Sequence, residues 1–434
     1  MRTNSWNLRL PIREVTMAVQ ELKFNLLQDA VKGSAAAFRC RRRLQPAGGP
    51  GDKVFPPTFA GAVYAIEQRR IPGRDAPVTC VLLDSVQSQA NRMELALQEA
   101  VDAGRIKMPL VVVDFTEYDP KGDLEADEQA GQLIDRVGKI TSLQLPHRLA
   151  DAILRYSELD GVPFRKSEKG RALNWASPTN ATPVFELCPA ALLFGMWDSS
   201  GPKGGLGAKF ERAMVSEIVG IGAEVGDLRR GVRRDPLGTS KDIPVISSED
   251  RTELRVAEGS KEGRRPSELG LASVPFPKQI HQKTSENYYD GVTIEYAEQT
   301  TTLSLICLRR LRFPLNGQRP REEVDVAART VLAALGLCAA TLAFEAGTHL
   351  RSRCLLWPDG PMVWELLARP GSEPERFSLT GKAAIALLQE AVRGAKEKGL
   401  PWPEEPLVLK PSAELVKLVR LSQIEAMKQT GEAS

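Results

Sequence analysis

Residues 78–113 read VTCVLLDSVQSQANRMELALQEAVDAGRIKMPLVVV, and this stretch decides the fold class. Val78 to Leu83 is a short apolar run rich in β-branched and aliphatic residues, the pattern of a strand buried in a sheet. Asp84 and Ser85 interrupt it, and the Ser85 hydroxyl suits the cap of a following helix. From Gln87 to Ala103 the chain reads as that helix, with Met93, Leu95, Leu97 and Ala100 among its apolar positions. Leu110 to Val113 is a second buried strand. Strand, helix, strand in this order predicts a domain that mixes α and β elements around a sheet.

Upstream, Val19, Leu22, Leu26, Ala30 and their neighbours Leu27 and Val31 mark one face of an amphipathic helix. Ala35 to Leu44 reads as a strand, the Pro/Gly-rich 46–57 as a loop, and Phe59 to Ile66 as a short apolar segment. The acidic stretch from Asp114 onward is expected to be a solvated excursion, with an insertion at 114–145, and Pro146-His147 introduces a helix through Tyr156. Downstream, Leu192 to Trp197 predicts a strand, Ser199 to Gly207 a loop, and Ala208 to Val219 a helix. Residues 226–290 are polar and expected to form a mobile insertion without its own core. Val292 to Ala297 and Thr301 to Leu308 resemble a hairpin turning near Glu298 to Thr300. Val324 to Phe344 is an Ala/Leu-rich core helix. Cys354 to Trp357 and Met362 to Leu367 suggest a second hairpin about Pro358-Asp359-Gly360. Ala383 to Lys398 and Ala413 to Lys428 are amphipathic, giving a C-terminal helical region over 379–434. The whole of 1–434 is expected to be one unit with insertions.

The 434 residues are 42% hydrophobic and 26% charged, enough apolar content for a substantial core. Lys and Arg number 58 against 55 Asp and Glu, so no global field announces an anionic partner and any basic surface must be local. The six cysteines form no C-x-x-C pair, and the three histidines are scattered, which argues against zinc. Met1 to Met17 lacks an apolar core segment, and Val331 to Phe344 is too short to span a bilayer. A cytoplasmic protein with reduced thiols is the expectation.

Four segments carry chemistry. In Arg39-Cys40-Arg41-Arg42-Arg43, a strand would send Arg39, Arg41 and Arg43 to one face and Phe38, Cys40 and Arg42 to the other. Guanidiniums in a row suit a phosphate backbone, and a charged edge strand protected against aggregation is the alternative. In the segment from Asp198 to Phe210, Ala208 stands between Gly207 and Lys209 and Phe210 follows, which departs from an ATP-binding P-loop. Its glycines, with Lys203, Gly204, Gly205, Lys209 and Arg212, could still present amides and cations to an RNA phosphate at a helix start. Alternatively they only permit a tight connection. Gln87, Ser88, Asn91 and Arg92 cluster where a strand turns into a helix and could touch sugar, phosphate or base edges, or simply cap that helix. Arg233 and Arg234 close a basic run at the start of the polar insertion, either solvated or ordered on RNA. Pro146-His147-Arg148 is a further candidate for RNA contact. Asp84, Asp114 and Asp198, each following a strand, leave open a metal-dependent nuclease with His147, and the glycine loop leaves open a nucleotide switch.

Several segments together resemble one family. Phe194-Gly195-Met196-Trp197-Asp198-Ser199-Ser200-Gly201-Pro202-Lys203-Gly204-Gly205-Leu206-Gly207-Ala208-Lys209-Phe210-Glu211-Arg212-Ala213-Met214-Val215-Ser216-Glu217-Ile218 closely resembles the signature of the type I-G (earlier I-U) CRISPR backbone subunit of the RAMP superfamily. Leu82 to Arg92, Pro146 to Ala152 and Arg234-Asp235-Pro236-Leu237-Gly238 resemble it too, whereas the C-terminal third matches only in general pattern. The resemblance implies an α+β fold, an RRM-like (ferredoxin-like) sheet core with large helical and loop insertions, one of them thumb-like. It also implies a non-catalytic subunit, without metal or cofactor, that lines up in copies along the CRISPR RNA and supports pairing with target DNA. Other implied partners are the large subunit, the subunit at the RNA end and a separate helicase-nuclease, with no membrane. Such a scaffold must accept any spacer, so phosphates and 2′-hydroxyls rather than base edges are its expected contacts.

Overall fold

The computed structural model describes residues 19–60, 63–225, 235–240, 242–248, 252–257, 263–271 and 291–429. The chain is a mixed α/β protein built on a ten-stranded sheet. Its main strands are β1 (Ala37–Pro46), β2 (Ile66–Arg69), β3 (Val78–Asp84), β4 (Met214–Ile221), β5 (Tyr296–Ser304), β6 (Cys354–Pro358), β7 (Trp364–Leu367) and β8 (Glu375–Ser378). The helices that matter most are α1 (Phe24–Lys32), α2 (Val86–Asp102), α3 (Glu322–Glu345) and α4 (Gly381–Glu397).

Across the sheet the order is β8-β7-β1-β5-β4-β3-β2, each neighbour antiparallel to the next. Within it, β1, β4, β5 and β7 stand in the spatial order fourth, first, third, second, with α3 linking third to fourth. The two-residue period of β1 explains its place at the centre. Phe38, Cys40 and Leu44 are buried beneath the sheet, while Arg41 and Arg43 are exposed above it.

α2, capped by the Ser85 hydroxyl on the Ser88 amide, and α3 pack on the lower face. α3 is long and apolar enough to cross a membrane, yet 94% of its apolar window is buried inside the protein. Burying a leucine such as Leu332 or Leu335 contributes roughly 1.5–3 kcal/mol. Gly336 lets this helix sit close, since a Cβ there would lie 3.3 Å from Leu303 and 3.4 Å from Leu193. Glu322, Glu323 and Asp325 occupy its first turn, where the helix dipole favours negative charge.

Several sequence expectations are corrected. Ala208 to Val219 is not a helix: Lys209–Phe210 pairs with Met196–Trp197, and Met214 onward is the interior strand β4. Its apolar residues Met214, Ile218 and Ile221 keep helix spacing, but in the strand Ile218 joins one apolar cluster and Val219 and Ile221 another, and Val215, Ile218, Val219 and Ile221 are β-branched, which favours a pleated surface. Leu192 to Phe194, read as strand, belongs to the short helix Ala190–Phe194. Glu298 to Thr300 is no turn but the middle of β5. β6 and β7 do not pair with each other. They lie end to end along β1, β6 opposite Leu44 to Pro46 and β7 opposite Ala37 to Cys40, with the Pro-Asp-Gly bend between them. Lastly, Val111–Asp114 joins a second, five-stranded sheet, where Leu407–Pro411 runs parallel to it. That strand lies inside the region expected to be helical, between α4 and the helix Ala413–Gln429. Lys139–Thr141, within the stretch 114–145, also pairs into this sheet.

Candidate nucleic-acid interface

The upper face of the sheet carries the arginine stripe. Arg39, Arg41 and Arg43 stand opposite Thr302, Thr300 and Glu298 of β5, so all of these side chains share one face. Arg39 also faces Glu365 of β7, which in turn faces Arg376 of β8. A cleft of about 370 Å³ lies among Arg39, Arg41, Arg43, Arg376, Glu298 and Glu365. Two aromatic rings extend the stripe at its far end. The Arg43 guanidinium lies 4.0 Å from the Tyr296 ring centroid, and Trp357, 70% exposed, pairs with Gln45 on the same face.

Each stripe arginine has an acidic neighbour: Arg39–Glu365 at 2.7 Å, Arg41–Glu298 at 2.7 Å and Arg43–Asp359 at 3.4 Å. The Arg39–Glu365 pair is half-buried, while the more exposed Arg41 and Arg43 pairs contribute only about 0.2–1 kcal/mol each. A phosphate, offering paired acceptors, can therefore compete for the same guanidiniums.

Arg42 points the other way, as its place in the strand dictates. It is buried beneath the sheet, donates to Gln299 Oε1 at 3.3 Å and lies 4.7 Å from the Phe344 ring. Burial lowers its pKa. Its guanidinium, expected from the sequence at an RNA surface, belongs to a polar network below the sheet. There Gln299 donates to Gln89 at 2.7 Å, and Ser216 bonds both Gln89 and Thr301.

The turn after β3 is built around a fully buried carboxylate. Asp84 accepts from Ser88 Oγ at 2.8 Å, Gln89 Nε2 at 2.6 Å and Arg92 Nε at 2.9 Å. Arg92 also donates to the Leu350 carbonyl at 2.8 Å, tying α2 to the strand Thr348–Arg351. Ser88 and Arg92 thus have internal partners, while Gln87 and Asn91 are exposed one turn apart on α2.

Arg148, read from the sequence as an RNA contact, is likewise engaged inside the protein. Its guanidinium forks onto Glu94 at 2.6 and 2.8 Å and donates to the Gly195 carbonyl at 3.1 Å. Both side chains are buried, at 9% and 3% exposure. Adjacent His147 is exposed.

The glycine segment is a closed hairpin loop rather than a helix start, so the expected amide cradle at a helix N-terminus is absent. The loop folds over Asp198, whose Oδ2 accepts from Arg165 at 2.7 Å. Lys203 donates to the Asn174 carbonyl and Arg212 to the Phe194 carbonyl, each at 3.1 Å. Lys203, Gly205, Lys209 and Arg212 are exposed, and Gly204 is half-buried. The loop and the arginine stripe stand on different elements. Arg233 and Arg234 lie outside the described residues.

The three carboxylates considered for a nuclease each have separate partners, Asp114 facing Lys139 at 3.3 Å. Among the described residues no group of three or more His, Cys, Asp or Glu side chains converges. Cys40, Cys80, Cys188, Cys338 and Cys354 are buried free thiols. Burial pushes Cys40 and Cys338 up to about 12, and Cys188 and Cys354 to about 11. Burial and nearby Glu211 raise half-buried Cys307 as well, so at pH 8 the folded protein is expected to react with a thiol reagent slowly and at Cys307 first, and at all six cysteines after denaturation. Mass spectrometry of the labelled sites checks this.

Sequence reasoning missed the aromatic residues. Trp175, Trp197 and Trp357 are exposed although tryptophan is usually well buried. The polar neighbours of Asn174-Trp175-Ala176-Ser177 were the available signal.

A family model described as CRISPR-associated protein GSU0053 (Cas_GSU0053) matches residues 38–225. The match opens on β1 and includes the Asp84 turn, the Arg148 fork and the glycine loop, and it supports a CRISPR-associated protein with a role in CRISPR systems. No curated protein matches the chain.

Proposed function

We propose that this chain is a non-catalytic backbone subunit of a type I-G CRISPR interference complex, of the RAMP superfamily, binding the CRISPR RNA on the upper face of its main sheet. The observation that carries the reading is the stripe Arg39, Arg41, Arg43 on an interior strand, displayed to solvent beside Thr300, Thr302, Tyr296 and Trp357. Side chains two apart on one strand repeat at about 6.8 Å, a spacing that lets successive guanidiniums follow a sugar-phosphate chain. The order of β7, β1, β5 and β4, with helices on one face, supports an RRM-like core. In such folds the open face is the one that takes RNA. Further copies along the guide, target DNA, the large subunit, the RNA-end subunit and the helicase-nuclease are the partners this role entails.

Because Glu298 competes for Arg41, Glu298→Gln is expected to tighten RNA binding about two- to fivefold at low salt. Electrophoretic titration of a guide-length RNA checks this, and a weaker complex would contradict it. The role itself is tested by purifying the chain with and without a CRISPR array transcript. Copies spaced regularly along protected RNA are expected, whereas a monomer that ignores the guide would overturn the reading.

A further inference from the structure

Three exposed aromatic rings frame the glycine loop. Trp175 is 73% exposed, Tyr156 59% and Trp197 52%. Each ring carries a cation: Lys203 Nζ lies 4.7 Å from the Trp175 centroid, Lys209 Nζ 5.0 Å from that of Trp197, and the Arg155 guanidinium 5.1 Å from that of Tyr156.

The framework beneath them is fixed. Buried Arg165 joins the Asn174 side chain at 2.6 Å to Asp198 at 2.7 Å, so the segment carrying Trp175 is fastened to the first residue of the loop. Arg155 donates to the Ser200 carbonyl, fastening the Tyr156 side as well. The loop wraps Asp198 so tightly that a Cβ on Gly201 would fall 2.2 Å from its Oδ1, and one on Gly207 2.0 Å from its carbonyl oxygen. Three rings and three cations are thus held around one shaped loop.

We propose that Trp175, Trp197 and Tyr156 form a stacking site for unpaired bases of single-stranded RNA, with Lys203, Lys209 and Arg155 taking the adjoining phosphates. The proposal rests on the RNA-binding reading and adds to it a second, base-contacting site away from the arginine stripe. A protein partner would be expected to meet an aromatic patch depleted of lysine at its centre. Here every ring is paired with a cation, the combination that holds bases and phosphates together without regard to sequence.

The test uses the full chain and two RNA strands of equal length, one intact and one with abasic sugars. Trp175→Ala and Trp197→Ala are each expected to weaken intact RNA about tenfold or more while leaving the abasic strand unaffected. Trp175→Phe is expected to restore most of the loss, and intact RNA to quench tryptophan emission of the unaltered protein. Both tryptophans are exposed, so circular dichroism should show unchanged folds. If both alanine variants bind intact RNA normally while Arg41→Ala weakens it, the stacking site is wrong and the RNA-binding reading stands. If the unaltered chain binds neither strand, that reading fails and this one with it. If RNA binding is unchanged but association between copies is lost on sedimentation, the surface is a protein interface and the proposal is overturned.

Discussion

Arg148→Met is expected to destabilise the fold by about 3–5 kcal/mol, because it leaves Glu94 buried without its counter-charge. The two side chains meet through two hydrogen bonds of 2.6 and 2.8 Å in a nearly dry setting, so no solvent can replace the guanidinium. Burial already pushes the Glu94 carboxyl above its ordinary range, and Arg148 opposes that push. A carboxyl whose pKa is higher in the fold than in the unfolded chain contributes stability below its unfolded value and loses it as pH rises through the folded one. Removing Arg148 raises the folded value further, so the deficit should be larger at pH 8 than at pH 5. Adding Glu94→Gln should recover part of the loss by removing the stranded charge. Urea denaturation at both pH values measures all of this. A deficit below about 1 kcal/mol at both would mean that the fork does not hold the α2 to Gly195 junction together.

Replacing Arg39, Arg41 and Arg43 together by alanine is expected to weaken RNA binding on the order of 100-fold at 0.1 M salt, relative to 1 M. The log-log salt slope should flatten by about 2, three phosphate contacts at roughly 0.7 each on a single strand. The loss should be the same for every guide sequence, since phosphates carry no letters. The fold should survive, because these arginines are at least partly exposed and their ion pairs are weak. Filter binding across a salt series checks both numbers. An unchanged slope would move the RNA off this face, and a loss confined to some sequences would mean base readout instead.

Much of this was legible in the chain because single elements declared their period. β1 alternates so strictly that the exposed face of Arg39, Arg41 and Arg43 followed from counting by two, and α3 was plain from its length and composition. The glycine loop misled because β4 carries a helix-like spacing. Met214, Ile218 and Ile221 stand four and three residues apart, as on a helix face, whereas in the strand Ile221 falls on the opposite face from the other two, and only pairing between β3 and β5 decides the matter. The Pro358-Asp359-Gly360 bend was recognised, but a turn signal does not say whether the flanking strands pair with each other or both with β1. Arg148 illustrates another limit. Its basic character was visible, but its partner Glu94 lies fifty-four residues away on α2, beyond any local pattern. The aromatic frame of the loop is non-local in the same way, since Tyr156, Trp175 and Trp197 are scattered along the chain.

Ultraviolet crosslinking of the chain mixed with a CRISPR RNA, read by mass spectrometry of the crosslinked peptides, tests the proposed RNA-binding role most directly. RNA should be found on the peptides carrying Arg39 to Arg43 and Tyr296 to Thr302. Crosslinks confined to the helical underside around α3 and α4, or an assembled particle with no RNA on this chain, would contradict it.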